Sequence, residues 1–149
     1  MPSLSLLEFA DKMHEVMPVM MREFAKRQKD ELYTGEITLP QFVILDFLHR
    51  EGELRMTDVA RLMEVTTAAA TGIVNRLVKY GYVIRIFDPS DRRIIKVKLT
   101  SKGAELVGKI LRHRRKMIIK IFGKITQSER EDYLKILMRI RDVLTKERD

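Results

Sequence analysis

Residues 57–103 decide the fold of this 149-residue chain, and they read TDVARLMEVTTAAATGIVNRLVKYGYVIRIFDPSDRRIIKVKLTSKG. Two short helical patterns come first, joined by a tight turn near Val65. Two β-rich runs follow at residues 82–87 and 94–99, separated by the turn-forming segment 88–93, which ends in two arginines. This order predicts a winged helix-turn-helix, whose second helix enters a DNA major groove while a basic hairpin contacts the backbone or the minor groove.

The chain before this block carries two further helical patterns. Ser5 and Glu8 have the spacing of a capping box at the start of a first helix, and the polar stretch 26–35 ends that helix. Because proline lacks the amide proton, Pro18 predicts a kink or break inside it. A second helix is expected at 39–51, with proline near its first position and glycine at its end.

Capping residues set the remaining predicted boundaries. A short strand is expected at 54–56, followed by Thr57 as the N-cap of the third helix and by Thr66 or Thr67 as the N-cap of the fourth. After the hairpin, Thr100 is expected to cap a long helix. A second capping box, from residue 126 to residue 129, then starts the final helix.

These patterns predict a mostly α fold with a small β-wing. We expect an N-terminal dimerisation helix at 1–35, a winged helix-turn-helix DNA-binding domain at 36–100 and C-terminal dimerisation helices at 101–149. The terminal helices carry broad apolar faces that the small central elements cannot cover. We therefore expect these helices to pack across a two-fold axis in a homodimer.

The positive charge is concentrated in one segment. Between Arg76 and Lys120 there are 14 Lys/Arg against 3 Asp/Glu, whereas the rest of the chain has 15 against 18. Clustered positive charge of this kind is typical of a protein that binds a polyanion, and here double-stranded DNA is the expected partner. A solvated basic face without a partner is the alternative.

Other classes of protein are not expected. The chain has no cysteine, which excludes disulfides, thiolate metal sites and cysteine redox sensing. His14, His49 and His113 lack ligand spacing, so neither a metal nor another cofactor is expected. No apolar run approaches the roughly 18–20 residues that span a bilayer, and no signal peptide is evident, so a cytoplasmic protein without membrane contact is expected. The absence of GxxxxGK, HExxH, GxSxG and a cysteine nucleophile argues against an enzyme.

The fourth helix is the predicted reader of DNA. Its small residues let it lie close to base edges, its threonines can bond phosphates or bases, and its alanines can touch thymine methyl groups. A tightly packed helix is the alternative reading of the same run. The expected contacts are Thr66, Thr67, Ala68, Ala70, Thr71, Asn75 and Arg76.

The hairpin supplies the second set of expected contacts. Arg92 and Arg93 lie at its tip, where an arginine can enter a narrow minor groove of enhanced negative potential. Asp91 is expected to accept a hydrogen bond and to orient an arginine or the turn. Lys96 and Lys98 alternate on one strand and could follow the backbone.

Residues 39–103 resemble the MarR family of transcription regulators. The matching features are VARLM at 59–63, LVKYGYV at 77–83, DPxDRR at 88–93 and the LTxxG junction at 99–103. The resemblance implies a triangular homodimer with interdigitated terminal helices and one winged domain per subunit on a pseudo-palindromic operator. It also implies that the arginine at the position of Arg93 enters the minor groove, oriented by the aspartate at the position of Asp91.

The resemblance further implies a possible small-molecule effector. Members often bind amphipathic or phenolic anions in a cleft between the dimer helices and the winged domain, which lowers DNA affinity. Here the implied lining is Met17, Met20, Met21, Phe24, Phe42 and Leu45. A dimer core is the alternative use of these residues, because methionine fills irregular gaps as readily as it lines a pocket.

Two functional hypotheses follow. The first is a sequence-specific DNA-binding transcription regulator, acting as a ligand-responsive repressor. The second is an architectural DNA-binding protein with low sequence specificity and no effector. A comparison of binding to specific and random duplexes separates them.

Overall fold

Within residues 3–28 and 36–147, which the computed structural model describes, the chain forms six helices and one small antiparallel sheet. This confirms the mostly α fold with a β-wing, and the chain divides after His113 into two compact units. The elements in chain order are α1 (Leu6–Arg27), α2 (Leu39–Glu51), β1 (Glu53–Arg55), α3 (Met56–Met63), α4 (Thr67–Lys79), β2 (Val83–Phe87), β3 (Ile95–Leu99), α5 (Ser101–Phe122) and α6 (Gln127–Lys146).

Helix α1 runs without interruption although Pro18 lies inside it. The predicted capping box is confirmed: the Glu8 amide donates to Ser5 Oγ at 3.2 Å and the Ser5 amide donates to the Glu8 carboxylate at 2.8 Å. The bond from the Ser5 amide, followed by one from Ser5 Oγ to the same carboxylate at 2.7 Å, holds the pKa of Glu8 below its ordinary value. The predicted break at Pro18 is wrong, because the loss of one amide donor leaves the other hydrogen bonds of the helix in place. Residues 29–35 of the predicted polar stretch lie outside the described residues.

The predicted start of the third helix needs correction. Strand β1 ends at Arg55 and α3 begins at Met56, so Thr57 lies in the first turn and is not the N-cap. Arg55 is paired with Lys96 of β3, and Met56 is buried in the core. Strand pairing and core packing on adjacent residues therefore leave no position for a separate capping residue.

The sheet has the order β1–β3–β2 and closes one side of the core of the first unit. Val97 of β3 pairs with Leu54 on one side and with Arg85 on the other, which fixes the register across all three strands. Side chains from α2, α3, α4 and the first half of α5 pack against Val83 and Val97. The largest fully buried members are Ile37, Ile44, Leu45, Leu48, Val59, Val74, Leu77, Val83, Val97, Val107 and Ile110.

A tight junction joins the end of α4, both hairpin strands and the start of α5. The Thr100 amide donates to the carbonyl of Tyr82 at 3.0 Å, and Thr100 Oγ1 donates to the carbonyl of Gly81 at 2.5 Å. Thr100 Oγ1 also accepts from the Gly103 amide at 3.1 Å, which confirms Thr100 as the cap of α5. Gly81 has a φ of 79°, a left-handed conformation that suits glycine.

The second unit contains the end of α5 and all of α6. The predicted capping box is confirmed: the Glu129 amide donates to Thr126 Oγ1 at 3.2 Å, and the Thr126 amide donates to Glu129 at 2.7 Å. The rings of Phe122 and Tyr133 stack with centroids 5.5 Å apart. These contacts fix the turn between the two helices.

Large apolar side chains remain exposed on α1 and α6. Neither helix has a buried residue, and Leu6 and Leu7 are 82% and 79% exposed. Among the residues described, no helix is both long enough and apolar enough to cross a membrane. The exposed apolar members of α6 are Tyr133, Leu134, Ile136, Leu137, Met138, Ile140, Val143 and Leu144.

We predict that Gly103→Ala destabilises the protein. A Cβ at Gly103 would lie 2.1 Å from the Tyr82 carbonyl oxygen, a backbone atom held by the junction. We expect the free energy of unfolding to fall by about 1–3 kcal/mol or more, as measured by chemical denaturation. Gly72→Ala is the matched control: its Cβ meets no atom within 4 Å, so this variant should gain about 0.5–1 kcal/mol. Equal stabilities of the two variants would contradict the role of the close contact.

Candidate nucleic-acid interface

Helix α4 buries one stripe and exposes the rest of its surface. Thr66, one of the two predicted alternatives, is its N-cap, and Thr66 Oγ1 accepts from the Ala69 amide at 3.1 Å. Ala70, Val74 and Leu77 follow at helical spacing and have no exposed surface. Ala70 therefore packs in the core and cannot contact a partner, which corrects its assignment as a contact. The spacing to Val74 and Leu77 was the signal that could have placed it inside.

The exposed surface of α4 carries only small side chains in its first two turns. Thr67, Ala68 and Ala69 are exposed, and Gly72 faces open space. Ala69 and Gly72 were not among the predicted contacts. A glycine inside a helix lowers helix stability, and here no neighbouring atom requires it. A closely approaching partner outside the subunit would account for it.

A cleft of about 450 Å³ separates this surface of α4 from the hairpin. Thr67, Thr71 and Asn75 follow one another at intervals of four residues along its α4 wall, so they share one face of the helix. The opposite wall is formed by the hairpin and by the start of α3. The lining residues are Arg55, Met56, Thr57, Thr67, Thr71, Asn75, Arg85, Arg93, Ile94 and Ile95.

Hydrogen bonds already occupy several of the polar groups on α4. Thr71 Oγ1 donates to the Thr67 carbonyl at 2.8 Å, as a helical threonine often does. The guanidinium of Arg85 on β2 donates to Asn75 Oδ1, which leaves the Asn75 amide nitrogen as a free donor. Arg76 is exposed and directed away from the buried stripe. Sequence reasoning did not single out Arg85, because nothing in the strand pattern indicates that it reaches α4.

The tip of the hairpin holds one arginine in a defined position. Asp91 Oδ1 accepts from the Arg93 amide at 3.0 Å and from Arg93 Nε at 3.1 Å, and Asp91 Oδ2 accepts from Nη2 at 3.2 Å. The prediction that Asp91 orients an arginine is confirmed. The Arg93 side chain is nevertheless 91% exposed, so most of it stands free at the tip. Arg92 is also exposed.

The same hydrogen bonds affect the ionisation of the aspartates in the turn. The bonds from the Arg93 side chain, followed by the one from its amide, lower the pKa of Asp91. Bonds from the hydroxyl and then the amide of Ser90 lower the pKa of Asp88. Since both values are lowered, both carboxylates are ionised at neutral pH. The Asp91–Arg93 pair would be lost only as the pH falls through the lowered pKa of Asp91.

Lys96 is less suited to DNA contact than its position in the strand suggested. It is half-buried, and Nζ lies 3.7 Å from Glu53 and 3.8 Å from Asp88. Two carboxylates therefore balance its charge. Lys98, which shares the same sheet face, is exposed.

The residues expected to line an effector site differ widely in exposure. Phe42 and Leu45 are buried in the core of the first unit, 5% and 0% exposed. The methionines of α1 are exposed, and Phe24 is half-buried. Phe42 and Leu45 thus belong to the core cluster, and the effector site stays a prediction. Groups of His, Asp and Glu that could hold a metal are absent from the described residues.

Known proteins resemble this chain over most of its length. The sequence model of the MarR family matches residues 37–95. The HTH-type transcriptional regulator FarR of Neisseria gonorrhoeae is 32% identical over 116 residues, which cover 76% of this chain and 80% of that protein. The HTH-type transcriptional repressor MdtR of Bacillus subtilis is 27% identical over 120 residues, which cover 78% and 77%.

Solved structures share the fold. FabT of Streptococcus pneumoniae, solved in complex with DNA, matches with a TM-score of 0.76 and 20% identity, over 95% of this chain and 99% of that one. At this identity the likeness concerns the fold alone.

We predict that Asp91→Ala weakens DNA binding. Removing a negative charge near a polyanion should by itself strengthen binding. Here the substitution also releases the Arg93 side chain from its hydrogen bonds, and we expect the loss of orientation to outweigh the gain in charge. Fluorescence anisotropy with a labelled duplex measures the change. An affinity equal to or above that of the wild type would show that the position of Arg93 does not matter.

We predict that Gly72→Ala weakens DNA binding while it stabilises the fold. The added methyl group would project from the exposed surface of α4 into space that contacts nothing in the protein. In a close-packed interface, such an addition typically costs about 1–3 kcal/mol. Titration of a DNA duplex and chemical denaturation of the same variant should therefore change in opposite directions. Unchanged DNA affinity would mean that the duplex does not approach this face of α4.

Proposed function

Because the chain belongs to the MarR family of transcription regulators, we propose that it is a repressor that binds a pseudo-palindromic operator as a homodimer. Family membership is established by the family match and by the relatives, and it identifies a DNA-binding regulator and not an enzyme. The observation that carries the proposal is the pairing of an α4 surface of small side chains with an exposed, oriented arginine on the hairpin.

We assign sequence reading to α4 and minor-groove contact to the hairpin. The exposed side chains of the first turns, Thr67 and Ala68 among them, can approach base edges in the major groove. Arg93 has the exposure and the orientation that a narrow minor groove requires. The proposed contacts are Thr66, Thr67, Ala68, Thr71, Asn75, Arg76, Arg92 and Arg93, with Asp91 as the support of Arg93.

The homodimer is proposed from the exposed apolar faces. An apolar face larger than a few hundred Å² on a soluble domain marks a contact surface. Helices α1 and α6 each expose many large apolar side chains along their length, and neither has a buried residue. A second copy of the chain supplies an identical set of apolar faces, as a two-fold interface requires. The proposed domain assignment of 1–35 and 101–149 to dimerisation, and of 36–100 to DNA binding, follows from this use of the termini.

Repression is proposed from the relatives. MdtR is described as a repressor, and this chain covers 77% of it. A repressor acts on chromosomal DNA, so we place its activity in the cytoplasm. Release by a small amphipathic ligand stays a prediction, and the exposed methionines of α1 are assigned here to the dimer contact.

We predict strong discrimination between specific and random DNA. The wild-type protein should bind a duplex from its own promoter region at least ~10³-fold more tightly than a random duplex of equal length at the same salt concentration. Fluorescence anisotropy under stoichiometric conditions should show two chains per operator. The free protein should sediment at about twice its chain mass of 17.5 kDa.

Near-equal affinities for the two duplexes would favour the architectural reading. A sedimentation mass near 17.5 kDa at micromolar concentration would exclude the dimer. Because the two measurements are independent, each part of the proposal can fail separately.

A further inference from the structure

We propose that the cleft between α4 and the hairpin holds one sugar–phosphate strand of the DNA, and that Arg85 and Arg55, which both line the cleft, bind the phosphates of that strand. The proposal rests on the proposed placement of α4 in the major groove and of the hairpin in the minor groove. It adds a third set of contacts, which neither the α4 surface nor the tip of the hairpin provides.

The topology of the duplex requires a strand at this place. Adjacent major and minor grooves are separated by a single sugar–phosphate backbone. A subunit that inserts α4 into one groove and Arg93 into the next must therefore straddle that backbone. The cleft lies between these two elements, because Thr67, Thr71 and Asn75 line one wall and Arg93 and Ile94 line another. Its volume of about 450 Å³ far exceeds the ~30 Å³ of a water molecule, so a phosphate group with part of its sugar can enter.

Arg85 is placed on the inner side of the sheet. Its strand partner is Val97, which is fully buried, and directly paired residues project from the same face of a sheet. The Arg85 side chain therefore leaves the sheet on the core side and meets α4 at Asn75. A charged residue on the core side of a strand is unusual, and here its guanidinium reaches the wall of the cleft.

The charge of Arg85 has no counter-ion among the residues that the structure describes. Within the residues described, its hydrogen-bond partner is the neutral amide of Asn75, and no carboxylate lies within ion-pair distance. Lys96, on the neighbouring strand, is also half-buried but lies between two carboxylates. A partly buried cation without a counter-ion is unfavourable unless an anion arrives. After the bond to Asn75, the guanidinium keeps N–H donors that suit the oxygens of a phosphate.

The other polar groups of the cleft match the same ligand. Arg55 is exposed at the end of β1 and lines the cleft, again without a carboxylate partner in the described part of the chain. Thr57 and Thr67 add hydroxyl groups, which are frequent donors to phosphate oxygens. None of the described residues that line the cleft has a carboxylate side chain. An anionic backbone in the cleft would thus meet polar side chains on the α4 wall and the positive charges of Arg55, Arg85 and Arg93.

Arg85→Gln should weaken binding to the operator and to a random duplex by a similar factor. A hydrogen bond to a charged group contributes about 1.5–3 kcal/mol, so we expect a loss of roughly tenfold or more on both duplexes. The diagnostic measurement is the salt dependence: the slope of log K against log salt should fall by about 0.9 for each phosphate contact removed. Arg55→Gln should give the same type of change, and Arg85→Lys should retain most of the wild-type slope.

Two control variants separate this role from others. Arg50→Gln removes the same charge at the end of α2, outside the cleft, and should leave the slope unchanged. Asn75→Ala removes the partner of Arg85. Because Asn75 is itself a proposed base contact, this variant should weaken binding to the operator, but it should leave the salt slope on random DNA unchanged. If Arg85 acted only by holding Asn75, Asn75→Ala would reproduce the effect of Arg85→Gln and the double variant would add nothing.

The outcomes are decisive in both directions. Unchanged slopes in Arg85→Gln and Arg55→Gln would overturn the proposal, and so would losses confined to the operator, since these indicate base reading. Arg55 is exposed, so its variant keeps the test valid if Arg85→Gln fails to fold. If the wild-type protein bound operator and random duplexes equally well, the proposed repressor function would be refuted. The test of the phosphate contacts would still hold, because the salt slope is also measured on random DNA.

Discussion

The contact between α5 and the end of the hairpin is the constraint on which the first unit depends. Gly103 lies so close to the carbonyl of Tyr82 that no side chain fits there. That carbonyl is also the acceptor for the amide of Thr100, and the hydroxyl of Thr100 binds Gly81. A few backbone groups therefore fix the end of α4, the start of β2, the end of β3 and the start of α5 relative to one another. The distance between α4 and the hairpin, and with it the width of the cleft, follows from this junction.

Much of the fold could be predicted because local chemistry determines it. The capping boxes at Ser5 and Thr126 depend on residues three positions apart, and they form as the sequence indicates. Gly81 at the end of α4 and the polar turn of the hairpin are likewise local features. The orientation of Arg93 by Asp91 needs only two residues of separation, which explains why the sequence was sufficient for it.

The remaining features depend on contacts between distant segments. The residues around Thr57 favoured it as an N-cap, but strand β1 pairs with β3 up to Arg55 and α3 begins at the next residue. Lys96 was expected to follow the DNA backbone, but the carboxylates of Glu53 and Asp88 lie beside it in the fold. Arg85 reaches α4 only because the sheet register places it on the core side. Ala70 is different, because its helical spacing to Val74 and Leu77 was visible in the sequence. Its small side chain, which suits a DNA contact as well as a core position, led to the wrong assignment.

The Asp91–Arg93 pair also has a consequence for the entropy of complex formation. A free arginine side chain samples many rotamers, and fixing it removes up to about 2 kcal/mol of conformational freedom. In this hairpin, hydrogen bonds to Nε and Nη2 restrict the side chain while it remains in solvent. Much of that ordering is therefore complete when the chain folds, before any DNA is present. Association can then begin from a pre-organised hairpin, and more of the electrostatic attraction to the duplex is retained as affinity.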